Sequence, residues 1–188
     1  MKRIVANACC IALLFVTGCK MVTTTEPIGS IAPRAELMPL QGNWINDDGE
    51  TFEIRVTRSG KLLVCGVEWD EEREEFRAKT IEFIATNCGD LKLLQMQFDD
   101  ASPYDGYAFC RYQMEGDQAQ LYFPIMSVFE DAIASKKLSG SIRAQQYLTD
   151  VHLESTGNSL VSFLAESGKN SCFEPEPGAT FERLRRIE

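Results

Sequence analysis

From Leu40 onward, apolar and polar residues alternate in short runs, and turn residues interrupt these runs about every ten positions. Residues 51–57 are the clearest run, because Phe52, Ile54 and Val56 fall on one side and polar residues fall on the other. Successive side chains of a strand point to opposite faces, so this run predicts a strand with one buried face. The pattern as a whole predicts an antiparallel sheet of about seven strands in meander order.

The same signal locates the other strands. Residues 58–61 form a hairpin turn after the first clear strand. The next strand carries a row of four apolar residues on one side, and the pattern leaves open whether that side faces inward; they are Leu63, Cys65, Val67 and Trp69. The predicted strands are 51–57, 62–69, 76–85, 91–98, 107–114 and 118–123, with a final strand at 180–187 that returns to the sheet.

Three segments are less regular. Residues 70–75 include five acids, which are too charged for the interior of a strand and predict a solvated turn. Leu93 and Leu94 are adjacent apolar residues, and this break in the alternation indicates a bulge. Residues 141–155 are ambiguous, because only their last part alternates as a strand does.

Two segments have helical periodicity. Pro124 suits the first position of a helix, and apolar residues follow at helical spacing as far as Ile133. Lys136 and the lysine after it lie near the carboxyl end, where they complement the helix macrodipole. A second helix is predicted at residues 159–166, with Asn158 as its N-cap.

These elements predict a mainly β fold with two short α-helices, and closing the meander into a barrel or half-barrel would remove its exposed edges. Gly42, Asn43 and Trp44 resemble the GxW signature of lipocalins and lipocalin-like proteins. That resemblance implies a barrel with Trp44 at its base and an arginine packed over the ring. The arginine would come from Arg183, Arg185 or Arg186. The companion lipocalin motifs are not apparent, and the helix inserted after the sixth or seventh strand departs from the family plan.

The amino terminus has the pattern of an export signal. Lys2 and Arg3 precede an uncharged, mostly apolar run over residues 4–16, which is too short to span a membrane. The run ends in Val16, Thr17, Gly18 and Cys19, which resembles the lipobox of bacterial lipoproteins. The resemblance implies cleavage before Cys19, acylation of its thiol, and a membrane anchor made of acyl chains. The alternatives are a plain signal peptide and an uncleaved signal anchor.

The chain is therefore divided into a signal peptide at 1–18, a lipidated cysteine with a flexible linker at 19–39, and one β-rich domain at 40–188. The linker is predicted from its Thr, Pro, Gly and Ser content. Lys20 follows the cysteine, and it is not the aspartate that retains enterobacterial lipoproteins at the inner membrane. The expected location is the cell envelope, facing the periplasm or exterior, with the outer membrane favoured if the organism has one.

Charge excludes one class of partner. The chain has 28 acids against 19 bases, a formal charge of −9, so its field repels phosphate backbones and we expect no nucleic-acid partner. With 44% hydrophobic residues, the composition is that of a soluble globular domain.

Four cysteines remain in the predicted domain. We expect a disulfide between Cys88 and Cys172, because an oxidising envelope compartment permits one and both residues lie outside strand interiors. Cys65 and Cys110 are expected as a second pair or as buried thiols. The spacings contain no CxxC pair, so no metal site is predicted.

The sequence has few residues that would support catalysis. His152 is the only histidine, and a triad would have to be built on this one ring. Asp99, Asp100 and Asp105 cluster in one loop. Paired carboxylates are the catalytic groups of glycosidases, but aspartate also favours turns. We predict neither catalytic residues nor a cofactor, and we expect a protein that is not an enzyme.

Aromatic residues are dense along the strands, and they predict either a filled core or a barrel with a pocket. The leading interpretation is a lipid-anchored envelope protein that binds an apolar small molecule inside the barrel or another envelope protein on its outside. A structural or assembly lipoprotein without a small ligand is the second interpretation, and an envelope hydrolase is the third. The aromatic residues concerned are Trp44, Trp69, Phe76, Phe83, Phe98, Tyr107, Phe109, Tyr112, Tyr122 and Phe123.

Overall fold

A computed structural model describes residues 20–70, 73–98, 105–145, 148–154, 157–167 and 171–184. The fold is mainly β, with 52% strand and 18% helix, as the alternation predicts. The strands are β1 (Lys20–Thr24), β2 (Ser30–Ile31), β3 (Gly42–Asn46), β4 (Thr51–Val56), β5 (Lys61–Asp70), β6 (Glu75–Cys88), β7 (Leu91–Gln97), β8 (Tyr107–Glu115), β9 (Gln118–Tyr122), β10 (Gly140–Gln145), β11 (Leu148–Leu153) and β12 (Ala179–Arg183). The helices are α1 (Arg34–Leu37), α2 (Met126–Ala134) and α3 (Asn158–Ser167), with a short 3-10 helix at Met38–Leu40.

Eight strands close into an antiparallel barrel, which confirms the predicted closure. Strands β3 to β9 form a meander in which each strand pairs with the next, and β8 pairs with β9. β12 fits between β9 and β3 and completes the ring, as Phe181 faces Ala119 on one side and Asn46 on the other. The predicted return of the last strand to the sheet is therefore confirmed.

An extension of the same sheet branches from the barrel at β8. The start of β8 pairs with β1, where Thr23 faces Ala108, whereas the later part pairs with β9, where Arg111 faces Tyr122. β1 also pairs in parallel with β11 over five residues, and β11 pairs with β10. The ambiguous segment at 141–155 thus contains the β10–β11 hairpin.

The prediction of a flexible linker at residues 19–39 is wrong for residues 20–39. This segment supplies β1, β2, α1 and the 3-10 helix, and Val22, Ile28 and Leu37 are buried. The linker was predicted from the polar composition of this segment. Thr23 and Thr24 are polar, but both are fully buried within β1. The folded domain therefore includes residues 20–39 and does not begin at residue 40.

The described residues form two hydrophobic cores, one inside the barrel and one between its outer surface and the helices. Phe109 on the outside of β8 contacts the rings of Phe129 and Phe173 edge-on, at centroid distances of 5.9 and 6.2 Å. Strands β7 and β8 are therefore covered on both faces. This explains why two adjacent residues of β7 are both apolar: Leu93 points into the second core and Leu94 points into the barrel. The register through them is continuous, so the predicted bulge is wrong.

The two predicted helices are present. The first, α2, begins at Met126 after Ile125, two residues later than predicted, because Pro124 pairs with Phe173 in an isolated bridge. After this helix Lys136 has a φ of 59°, in the left-handed region that favours glycine. The second, α3, spans Asn158–Ser167 and buries Leu160 and Leu164.

Candidate functional site

The barrel interior is nearly filled by side chains. It encloses an apolar cavity of about 30 Å³, whereas sites for drug-sized ligands are roughly 300–1,000 Å³. A volume of this size holds about one water molecule. This cavity is therefore too small for a drug-sized ligand. The cavity is lined by Leu40, Phe52, Ile54, Leu62, Val64, Phe83, Leu94, Tyr112, Ala119, Leu121 and Phe181.

Trp44 is fully buried in β3 beside the 3-10 helix. Its indole Nε1 donates a hydrogen bond to the carbonyl oxygen of Leu40 at 2.8 Å. The guanidinium carbon of Arg183 lies 5.0 Å from the centroid of the Trp44 rings, because β12 pairs these two residues directly. The structure thus places an arginine over the tryptophan, as the GxW resemblance implies; Arg185 and Arg186 lie outside the described residues.

The four described cysteines are all free thiols, so the expected disulfide between Cys88 and Cys172 is not formed in this structure. Both residues are nonetheless buried in the second core. Burial raises the pKa of each of these two thiols. Cys110 is completely buried in the barrel, and burial raises its pKa to about 12, so this thiol is protonated and unreactive at neutral pH. Cys65 is partly exposed on the outside of the barrel.

His152 is held by two hydroxyl groups. Its Nδ1 lies 2.9 Å from Oγ1 of Thr23, and its Nε2 lies 3.3 Å from Oγ1 of Thr25. Burial, followed by the charge of Arg143, lowers its pKa, which favours the neutral ring. These contacts join β1 and the residue that follows it to β11.

The predicted acidic loop is only partly described. Asp99 and Asp100 lie outside the described residues, whereas Asp105 forms an ion pair with Arg143 at 3.0 Å. Arg143 also contacts the buried carboxylate of Asp150, which draws Asp105 into a structural network. Among the described residues, no group of three or more His, Cys, Asp or Glu side chains could hold a metal ion.

The most unusual surface lies on the β5–β6 hairpin. Among the described residues, β4 accompanies β5 only as far as Gly66, and β7 accompanies β6 only from Ile84 onward. Residues 67–70 and 75–78 therefore project beyond the neighbouring strands of the barrel. We call this end of the hairpin the β5–β6 ribbon.

One face of the ribbon is apolar and exposed. In β5 the side chains that point inward are Leu62 and Val64, so the row that includes Val67 points outward. Val67 is 63% exposed and pairs with Ala78, and Phe76, on the same face as Ala78, is 72% exposed. The sequence left this orientation open, because a row of apolar residues on a strand has the same pattern whether it faces a core or solvent.

An open groove of about 500 Å³ extends this face across the outside of the barrel. Val67 and Ala78 form one end of it, and Leu184, which follows β12 and is 41% exposed, also lines it. Polar side chains complete the lining, with Glu53 beside Arg55 at 2.7 Å. The groove is also lined by Asn43, Thr51, Phe52, Cys65 and Gly66. We call Val67, Phe76, Ala78 and Leu184 the outer apolar face.

Comparison with known proteins found no matching family model, no similar curated protein and no similar solved structure. Within the described part of the chain, no helix has the length and apolar character needed to cross a membrane.

Proposed function

We propose that this protein is a lipid-anchored protein of the bacterial cell envelope whose barrel domain recognises another protein through its outer surface, without catalysing a reaction. The observation that carries the recognition proposal is the contrast between a filled barrel interior and exposed apolar side chains outside it. Soluble proteins rarely expose contiguous apolar surface unless it serves an interaction. The anchor is supported by the lipobox-like residues that end in Cys19.

The folded amino-terminal segment adds a geometric consequence to this proposal. Lys20 is the first residue of β1, so no linker separates Cys19 from the barrel domain. Acyl chains on Cys19 would hold the domain directly at the membrane surface. Recognition would then be restricted to partners that lie within or next to the same membrane.

Labelling of growing bacterial cells with an alkyne analogue of palmitate tests the anchor. The full chain should incorporate the label, Cys19→Ser should not, and Cys10→Ser is the matched control that should label normally. Label that persists in Cys19→Ser, or wild-type protein recovered unlabelled from the cytosol, would refute the anchor.

Cross-linking of intact cells and native mass spectrometry test the mode of recognition. We expect a cross-linked protein partner and a domain mass without bound small molecule, since the interior has room for about one water. A co-purifying lipid that saturates the domain would refute surface recognition in favour of an internal ligand.

A further inference from the structure

We propose that the outer apolar face binds a basic segment of the partner protein that carries apolar side chains. This inference rests on the proposed function, and it identifies the surface and the chemistry of the partner. It follows from the exposure, the shape and the charge of the β5–β6 ribbon and its groove.

Exposure identifies the anchor residues. Phe76 is the most exposed of the large hydrophobic side chains in the described part of the chain, and Val67 is nearly as exposed. Aromatic residues of this kind dominate binding energies at protein interfaces, where a few central side chains contribute most. The neighbouring groove of about 500 Å³ is open enough to receive side chains of a polypeptide segment.

Charge identifies the chemistry of the segment. In the sequence, residues 67–78 contain six acids against two bases. Both bases are compensated, because Arg73 and Arg77 lie 4.0 and 3.2 Å from the carboxylate of Asp70. The segment that carries Val67 and Phe76 therefore has a net negative charge in the sequence, and complementary charge on a partner speeds and orients its approach.

The same charge argues against two other occupants. A second copy of the chain would bring the same acidic surface and a formal charge of −9 into contact with itself. A membrane rich in anionic headgroups would repel the acids of the ribbon, although it would accept Phe76 and Val67. A basic polypeptide satisfies both the apolar and the charged part of the surface.

A peptide that alternates lysine and valine, labelled with a fluorophore, is the probe for this surface. Its binding to the full chain is measured by fluorescence anisotropy against two matched peptides, one alternating glutamate and valine and one alternating lysine and serine. We expect binding of the lysine–valine peptide alone. Phe76→Ser and Val67→Ser should each weaken it about tenfold, whereas Ile142→Ser, at a residue 49% exposed on β10, should leave it unchanged.

Charge is tested with the double variant Glu74→Gln and Glu75→Gln, two exposed residues at the ribbon turn. This variant should bind the peptide about threefold more weakly at about 50 mM salt and equally at about 500 mM, because salt screens exposed charges. Equal binding of the lysine–serine peptide, or unchanged binding to Phe76→Ser, would overturn the proposal. Circular dichroism and thermal unfolding verify that each variant is folded.

Other occupants give distinct results, each of which overturns the proposal. Sedimentation with vesicles of phosphatidylethanolamine and phosphatidylglycerol that Phe76→Ser abolishes would assign the face to the membrane. Dimers by light scattering that the same variant dissociates would assign it to a second copy. Tighter peptide binding by a chain that ends at Leu184 would assign the groove to residues 185–188 of the chain itself.

Photo-cross-linking in cells separates this inference from the proposed function. A photoreactive phenylalanine replaces Val67 in one variant and Ile142 in the other. Cross-links from position 67 alone support the inference, and the Glu74→Gln and Glu75→Gln changes should reduce their yield. Cross-links from position 142 alone would overturn the surface but leave protein recognition standing, and none from either position would count against both.

Discussion

Replacing Leu37 by alanine tests whether residues 20–39 belong to the folded domain. Leu37 lies on α1, is fully buried and packs in the barrel core. Truncating a buried leucine removes its transfer free energy and leaves a cavity, so we expect a loss of about 3 to 4 kcal/mol in the free energy of unfolding. If this segment were a linker, the change would be within about 0.5 kcal/mol.

Met38 provides a matched control, because it is the next residue, has a similar size and is 38% exposed. Met38→Ala should cost less than about 1 kcal/mol, since much of the side chain already contacts water. The assay is urea unfolding followed by tryptophan fluorescence. With a slope of about 2 kcal/mol per molar urea, Leu37→Ala should lower the midpoint by about 1.5 to 2 M and Met38→Ala by less than about 0.5 M. Equal and small shifts for both variants would refute the docking of this segment.

Four further predictions concern individual buried or strained side chains. Tyr112→Phe should stabilise the protein by about 1 kcal/mol in urea unfolding, because the buried hydroxyl has no hydrogen-bond partner among the described residues. Burial raises the pKa of Cys110 from 9.0, and that of Tyr112 from 10.0, to about 12. As the pH rises, these two groups therefore lose their protons in the unfolded chain before they do so in the folded protein. The free energy of unfolding should fall as the pH rises above 9. Because the pKa of His152 is lowered in the folded protein, its imidazole binds a proton more tightly in the unfolded chain. The free energy of unfolding should therefore fall as the pH drops below 6.5. His152→Gln should remove that part of the pH dependence. Lys136→Gly should raise the thermal midpoint, with a gain of about 0.5 to 1 kcal/mol, because it removes strain at a φ of 59°.

The alternation of apolar residues was sufficient to predict the β class, the meander and the return of the last strand. These features depend on the period of the pattern, which is local and can be read along the chain. The placement of residues 20–39 could not be predicted in this way. β1 pairs in parallel with β11, more than a hundred residues away in sequence, and its polar threonines conceal its burial.

The candidate site was predictable only in part. Trp44 and Arg183 were both identified from a short motif and a basic cluster, and β12 brings them together. The expected Cys88–Cys172 bond is not formed here, although both thiols lie in the second core. Pairing of cysteines depends on tertiary geometry, which a spacing pattern does not contain.

An apolar residue on the outside of a barrel has two explanations that sequence periodicity cannot separate, namely cover by the same chain or cover by a partner. Leu93 and Phe109 are covered by the same chain, because α2 and α3 enclose the outside of β7 and β8 in a second core. Val67 and Phe76 continue the same kind of pattern on β5 and β6, yet they remain exposed. Since the chain buries outward apolar residues where its own helices are available, the exposure of Val67 and Phe76 supports the proposal that a partner protein covers this face.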